Sequence, residues 1–241
     1  MEYTVHHVGD QGLCVEFANE ISLQTNQKVC ALKIALEKQA IYGIRELVPT
    51  YRSLLILYDP FRVEWTAIKA AVDQCAGSLG TCQQTKALIT EIPVLYEGEY
   101  AMDIEDIAKT ENKTVEEIIR IHSQSDYYVY MLGFSPGHPY TARFENPFSF
   151  GRRSSPRIRI PGGCVVVQRE QSNITPFDQP CGWNVIGSTP LRMCDYRHKT
   201  PFLLQAGQWV RYVPIDRSEF MEIRRQVELD CYRCKTYEKE V

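Results

Sequence analysis

The feature that most constrains this chain is a change in its apolar patterning partway along. Before about residue 96, short apolar runs alternate with stretches whose apolar residues recur at helical spacing. From Tyr127 onward, short apolar runs are separated by turns rich in proline and glycine. A helix buries a stripe of period 3.6 and a half-buried strand alternates with period two, so one packing scheme does not serve both stretches. The expectation is an α+β protein of two domains, residues 1–88 and 89–241, which a chain of 241 residues allows.

In the first domain, Thr4–Val8 and Leu13–Phe17 flank a Gly9-Asp10-Gln11-Gly12 turn and predict strands. Ser22 is placed to cap a helix in which Val29, Leu32 and Leu36 share a face, and Gly43 is expected to stop it. Ile44–Val48 and Leu54–Tyr58 predict two more strands. Trp65, Ile68, Val72 and Cys75 predict a second helix, ended by Gly77 and Gly80. Ala87–Tyr96 reads as a last strand. The order strand, helix, strand, strand, helix, strand is that of a ferredoxin-like plan, a helix pair packed on an antiparallel sheet.

Asp103 is read as the cap of a short helix carrying Ile104, Ile107 and Ala108. Thr114 with Glu117 spells a capping box, and behind it Val115, Ile118, Ile119 and His122 share one stripe. After Tyr127, the runs Tyr128–Leu132, Cys164–Val167, Phe202–Leu204 and Trp209–Val213 predict a β-barrel or sandwich. Arg217–Leu229 predicts a closing helix with Phe220, Ile223 and Val227 inward.

No run approaches the roughly 20 apolar residues that cross a bilayer. The segment MEYTVHHVGD lacks a basic stretch followed by an apolar one, so a cytoplasmic location is expected, without membrane contact. The cysteine count, nine, is odd, and most thiols sit inside apolar runs, which fits a reducing compartment better than a disulfide framework. A net charge of −3 argues against nucleic-acid binding through a whole-protein field. Charge is nevertheless concentrated locally. Arg143, Arg152, Arg153, Arg157, Arg159 and Arg169 face only Glu145 in their stretch. That stretch is either a solvated loop or an anion site for carboxylate or phosphate.

The chemistry-bearing segment runs from His122 to Asp195. It contains Gly133-Phe134-Ser135-Pro136-Gly137-His138-Pro139-Tyr140, then Pro156-Arg157-Ile158-Arg159-Ile160-Pro161-Gly162-Gly163. Thr175-Pro176, Cys181-Gly182-Trp183 and Ile186-Gly187-Ser188-Thr189-Pro190 follow. Prolines and glycines at this density shape loops, and glycines let a ligand approach backbone N–H groups. Phe134, Tyr140 and Trp183 can wall a pocket. Arg157 and Arg159, two apart in a strand, share a face. Barrel corners without any ligand would show the same spacing. His122 reads either as a hydrogen-bonded core histidine or as a catalytic one, and His138, in a Pro-Gly loop, as exposed to ligand. Cys231-x-x-Cys234 with Cys194 and His198 would make a zinc site; the alternative is a frayed end with incidental thiols, and no metal is expected. Walker-type, G-x-G-x-x-G, H-E-x-x-H and G-x-S-x-G motifs are absent, so ATP chemistry would need an unfamiliar site or a partner's residues.

These central motifs resemble the signature of the family of 5-oxoprolinase B subunits, also called the allophanate hydrolase subunit 1 family. Its usual form is close to GFxPGFPY, PRxxVPAGSV, a T-G-I-Y-P turn, PGGW and IGRTP. The likeness extends to Gly9-Asp10, the stretch from Leu47 to Leu54, Tyr58-Asp59-Pro60, and Gln205-Ala206-Gly207-Gln208-Trp209-Val210-Arg211 with Phe220. It covers nearly the whole chain, in order. The sequence departs from the pattern at His138, Gly162, Cys164, Gln171–Pro176, Cys181, Ser188 and Gln208.

The resemblance implies a ferredoxin-like N-terminal domain and a cyclophilin-like β-barrel C-terminal domain that pairs with a C subunit. The activity it implies is ATP-dependent 5-oxoprolinase, opening 5-oxo-L-proline to L-glutamate with C and A subunits, inactive without them. Relatives also include inhibitors of a sporulation histidine kinase and carboxyltransferase components that act on biotin carried by another protein. On this reading His122, His138 and Arg157 are the catalytic candidates. Phe134, Pro136, Gly137, Tyr140, Arg159, Pro161, Gly162, Gly163, Thr175, Pro176, Gly182, Trp183 and Thr189 are the substrate-binding ones. ATP acts in the assembled complex on a small lactam or amide.

Overall fold

The computed structural model describes residues 2–78, 86–142 and 147–240. Arg143 and Glu145 of the basic stretch, Gly80, and Thr85 at the expected boundary lie outside the described residues. The chain divides by its contacts into two compact units, Met1–Gln84 and Thr85–Val241.

The first unit contains β1 (Thr4–His7), β2 (Gly12–Glu16), α1 (Leu23–Gln39), β3 (Ile44–Pro49), β4 (Ser53–Tyr58) and α2 (Trp65–Ser78). Its four strands form an antiparallel sheet in the order β1-β2-β4-β3. Along β4, Leu54, Ile56 and Tyr58 are buried at period two. They pack with Leu13 and Val15 against Val29, Leu32 and Leu36 of α1 and Ile68 and Val72 of α2. Ser22 caps α1, its hydroxyl accepting from the Thr25 N–H at 3.1 Å. The helix stops at Ala40, in the left-handed region at φ 48°, three residues before the expected Gly43. Gly43 instead makes the turn into β3, at φ 101°.

The second unit opens with β5 (Lys86–Val94), a 3-10 turn at Gly98–Tyr100, α3 (Ile104–Glu111) and α4 (Val115–Ser123). Then come β6 (Asp126–Leu132), β7 (Pro139–Ala142), β8 (Arg157–Ile160), β9 (Cys164–Gln168), β10 (Gln171–Ile174), β11 (Gln179–Cys181) and β12 (Asn184–Ser188). It ends with β13 (Trp209–Pro214), α5 (Arg217–Glu228) and β14 (Thr236–Glu240). The sheets are β14-β5-β13-β6-β7, β10-β9-β12 and the pair β11-β8. The capping box is present, with Glu117 N–H on the Thr114 hydroxyl at 3.2 Å and Thr114 N–H on the Glu117 carboxylate at 2.8 Å. Val94, Tyr127, Val129, Val165, Val167, Ile186, Val210 and Tyr212 form the main core.

Two expectations need correction. The strand assigned to the end of the N-terminal plan, β5, pairs with β13 and β14 in the second unit. An alternating apolar run specifies a strand but not its hydrogen-bonding neighbours. The end read as frayed at Cys231 and Cys234 leads into an edge strand, β14, in register with β5 from Thr236 opposite Thr90. Among the described residues, no helix is long and apolar enough to cross a membrane.

Candidate functional site

Asp103 is the first group to consider, because sequence reasoning gave it only a capping role. It precedes α3, but its side chain makes no cap hydrogen bond. It is 2% exposed and accepts instead from Arg157 at 2.7 and 2.8 Å, Arg153 at 2.6 Å and the Val185 N–H at 2.7 Å. Burial works against its charge, but the Arg157 and Val185 hydrogen bonds and the two guanidinium charges outweigh it and hold the carboxyl below its usual range. The Arg157 guanidinium, expected to face ligand, is thus occupied by a buried carboxylate of its own chain. Arg159, on the same strand, pairs with Asp178, whose other oxygen accepts the Gly162 N–H at 3.0 Å.

His122 is fully buried. Nδ1 pairs with the Tyr96 hydroxyl at 2.7 Å, Nε2 with the Ser172 hydroxyl at 2.8 Å, and the ring stacks on Tyr212 with centroids 4.4 Å apart. Burial pushes its pKa down to about 3. The first of its two readings, the hydrogen-bonded core histidine, describes this environment.

The loop from Gly133 to His138 joins β6 to β7 and holds an unusual conformation. Phe134 sits at φ 68°, costly for a bulky side chain, and the residue is 72% exposed. Gly137 is at φ 79°, and a Cβ there would lie 2.9 Å from the Met193 carbonyl oxygen. This packing turns His138 inward: it is buried at 6% exposure, not open to ligand as its loop setting suggested. Its Nε2 lies 3.4 Å from the Asn173 amide nitrogen, whose oxygen is pinned by the Thr141 N–H at 3.0 Å. Asn173 therefore turns its N–H group toward Nε2. Nδ1 faces the Gln179 amide nitrogen at 3.4 Å, and the oxygen of that amide accepts from the Ser135 hydroxyl at 2.9 Å, so amide N–H groups face both ring nitrogens and the tautomer decides which of them accepts. Burial pushes the His138 pKa down to about 4, so the imidazole is a neutral hydrogen-bonding group at ordinary pH. Tyr140 stands beside it, ring centroids 5.2 Å apart. Ser135 lies in the same loop motif as His138, whereas Asn173 on β10 and Gln179 on β11 are brought to it only by the fold.

A second group of candidates surrounds a cleft of about 1000 Å³. Pro161, Gly162, Gly163, Pro176 and Thr189 line it, with the aromatic rings of Tyr100, Phe177 and Phe220. Gly163 is at φ 85°, and a Cβ there would meet the Thr189 carbonyl oxygen at 2.6 Å. Thr175 is a strut behind this wall: its hydroxyl donates to the Pro161 carbonyl at 2.9 Å and accepts from the Cys164 N–H at 3.0 Å. Gly182 and Trp183 lie elsewhere, at the end of β11, where the Trp183 N–H reaches the Cys181 sulfur at 3.3 Å. Among the described residues, no three His, Cys, Asp or Glu side chains are grouped to hold a metal ion, so Cys194, His198, Cys231 and Cys234 do not assemble the zinc site weighed above.

The second unit thus holds a buried Asp–Arg clamp and a proline- and glycine-shaped loop around a neutral histidine. The sequence profile described as carboxyltransferase domain, subdomain C and D, matches residues 3–204, and the chain belongs to that family. A 5-oxoprolinase B subunit from Bacillus subtilis is 33% identical over 230 residues, spanning 91% of this chain and 96% of that one. Its namesake from Haemophilus influenzae is 34% identical over 192 residues, 80% of this chain and 88% of that one. Among solved structures, a conserved uncharacterised protein from Pyrococcus horikoshii matches with a TM-score of 0.53 at 32% identity, covering 90% of this chain and 100% of that one. The urea carboxylase of Kluyveromyces lactis shares the fold, with a TM-score of 0.77 at 17% identity over 98% of this chain and 24% of that one.

Proposed function

We propose that this chain is the B subunit of an ATP-dependent 5-oxoprolinase, which opens 5-oxo-L-proline to L-glutamate in the cytoplasm together with C and A subunits. The observation that carries this reading is the 33% identity to a 5-oxoprolinase B subunit over nearly the full length of both chains. On the same reading, the first unit is a ferredoxin-like domain and the second a cyclophilin-like domain that pairs with the C subunit.

A lactam carbonyl is a poor electrophile because the ring nitrogen donates into it. ATP would supply the activation: its γ-phosphoryl group passes to the lactam oxygen with release of ADP, water attack then expels the ring nitrogen, and a second water releases phosphate from the resulting acyl phosphate to give glutamate. With no recognisable nucleotide loop in the sequence, the ATP site falls to the assembled complex, and this chain's part is to bind and orient the lactam. Among the candidates, the loop carrying Phe134, Ser135 and His138, with Tyr140 beside it, suits that part best. It is preorganised by Gly137 and by the Gln179 and Asn173 amides. Co-expression with the C and A subunits, followed by assay of ADP and glutamate release from 5-oxoproline, tests the proposal. Activity is expected only from the complex; turnover by the isolated chain, or an intact complex that leaves 5-oxoproline unchanged, counts against it.

A further inference from the structure

Three arginines of the basic stretch are neutralised by the chain's own carboxylates. Arg153 and Arg157 pair with Asp103, and Arg159 with Asp178. Arg152 and Arg169 have no carboxylate partner among the described residues, and of the two Arg152 lies beside the Cys181 end of β11. It is nevertheless held against the protein. Its Nη2 and Nε lie 3.1 and 3.3 Å from where a Cβ on Gly182 would stand, so a larger residue at 182 would push the guanidinium away. Its charge is felt by Tyr140 and by Cys181.

Strand β11 connects this cation to the His138 network. Gln179 and Cys181 are its inward residues, with Pro180 exposed between them. Gln179 reaches His138 and Ser135, and Cys181 neighbours Arg152. Two residues of strand separate them by about 7 Å. One end of the site therefore offers neutral hydrogen-bonding groups, and the other an uncompensated guanidinium. Ser135 is the part-exposed member at the neutral end, backed by the buried Gln179 and His138, with the Phe134 ring alongside at 5.8 Å from the His138 ring.

We propose that this is a binding site for a small ligand carrying a carboxylate at one end and a neutral amide at the other. Arg152 takes the carboxylate, and the Ser135 hydroxyl, steadied by Gln179, takes the amide. The identity of the ligand rests on the 5-oxoprolinase reading: 5-oxoproline places both groups on one five-membered ring. A guanidinium suits the carboxylate because its planar fork gives two parallel hydrogen bonds that a lysine cannot. Arg152 is on this view a specificity-determining residue and takes no part in bond breaking.

The test uses the complex with its C and A subunits and compares wild type, Arg152→Gln and Arg152→Lys. Arg169→Gln, on the exposed β9–β10 turn, is the control. Arg152→Gln is expected to raise the KM for 5-oxoproline by about 10–100-fold, the range for a lost charge-assisted hydrogen bond, with a smaller effect on kcat and an unchanged melting temperature. Arg152→Lys recovers part, and Arg169→Gln behaves as wild type. Wild type should also favour 5-oxoproline over its neutral carboxamide, and Arg152→Gln should lose that preference. A KM within twofold of wild type, or an unaltered preference for the carboxylate, overturns the proposal. Calorimetric titration with 5-oxoproline separates the two readings. A complex that binds 5-oxoproline through Arg152 without turnover refutes only the activity; equal binding by wild type and Arg152→Gln, or none by either, refutes the site.

Discussion

Asp103 holds the guanidinium of Arg157 through two parallel hydrogen bonds, at 2.7 and 2.8 Å, across 54 residues of sequence. The same carboxylate takes Arg153 and the N–H of Val185, so it ties the start of α3 to β8 and β12. Removing it strands three donors at once. Asp103→Ala is expected to lower the unfolding free energy by about 2–4 kcal/mol, toward the low side for a broken buried pair because both arginines keep some contact with water. Urea denaturation checks this, and a loss below about 1 kcal/mol would show that the clamp contributes little. Arg157→Ala acts through the same contact, so it should reduce stability and leave the affinity of the assembled complex for 5-oxoproline unchanged.

Acid should destabilise the protein well above the usual carboxylate range. Burial holds His122 at about 3 and His138 at about 4, while an unfolded histidine takes up a proton near pH 6.5. Between those values the unfolded chain binds more protons than the folded one. The stability is therefore fully present above pH 6.5 and is lost as pH falls toward 4 and then 3, at about 1.4 kcal/mol per pH unit for each ring. Urea midpoints at pH 7, 6, 5 and 4.5 measure it. A flat profile over that window would mean that one or both rings protonate in place.

Two glycine substitutions should have opposite signs. Gly163→Ala places a Cβ 2.6 Å from the Thr189 carbonyl oxygen in a left-handed backbone, and is expected to cost about 2–3 kcal/mol. Gly77, inside α2, has open space where a Cβ would go, and Gly77→Ala should stabilise by about 0.5 kcal/mol. Thermal melts of the two variants decide the matter; equal shifts in one direction would contradict the backbone argument.

The capping box at the start of α4 gives a smaller effect. Thr114→Ala removes the acceptor for the Glu117 N–H, for an expected loss of about 1 kcal/mol. Denaturant titration of this variant should show an unchanged slope and a lower midpoint, because the helix keeps its buried face at Ile118 and His122. A midpoint matching wild type would mean that water caps this end equally well.

Much of the local structure was legible because short-range rules decide it. Ser22 and the Thr114–Glu117 pair marked two helix starts, and the alternation at Leu54, Ile56 and Tyr58 marked a strand with one buried face. The turn motifs around Pro136-Gly137 and Pro161-Gly162-Gly163 were found where backbone must approach backbone. Each of these signals is carried by residues within a few positions of one another.

What the sequence by itself determined was therefore the elements, the two-part patterning and a family likeness carried by ordered motifs. The tertiary structure decided which polar groups meet. Nothing local to Asp103 distinguishes a helix cap from a clamp for arginines 50 and 54 positions away, and nothing local to β5 names β13 as its neighbour. His138 looked exposed in its loop and is buried, because the walls that cover it come from Asn173 and Gln179 on other strands. Among the described arginines of the basic stretch, only long-range pairing separates the guanidinium groups already taken by Asp103 and Asp178 from those of Arg152 and Arg169. Charge neutralisation and burial act across space, and sequence spacing carries no measure of either.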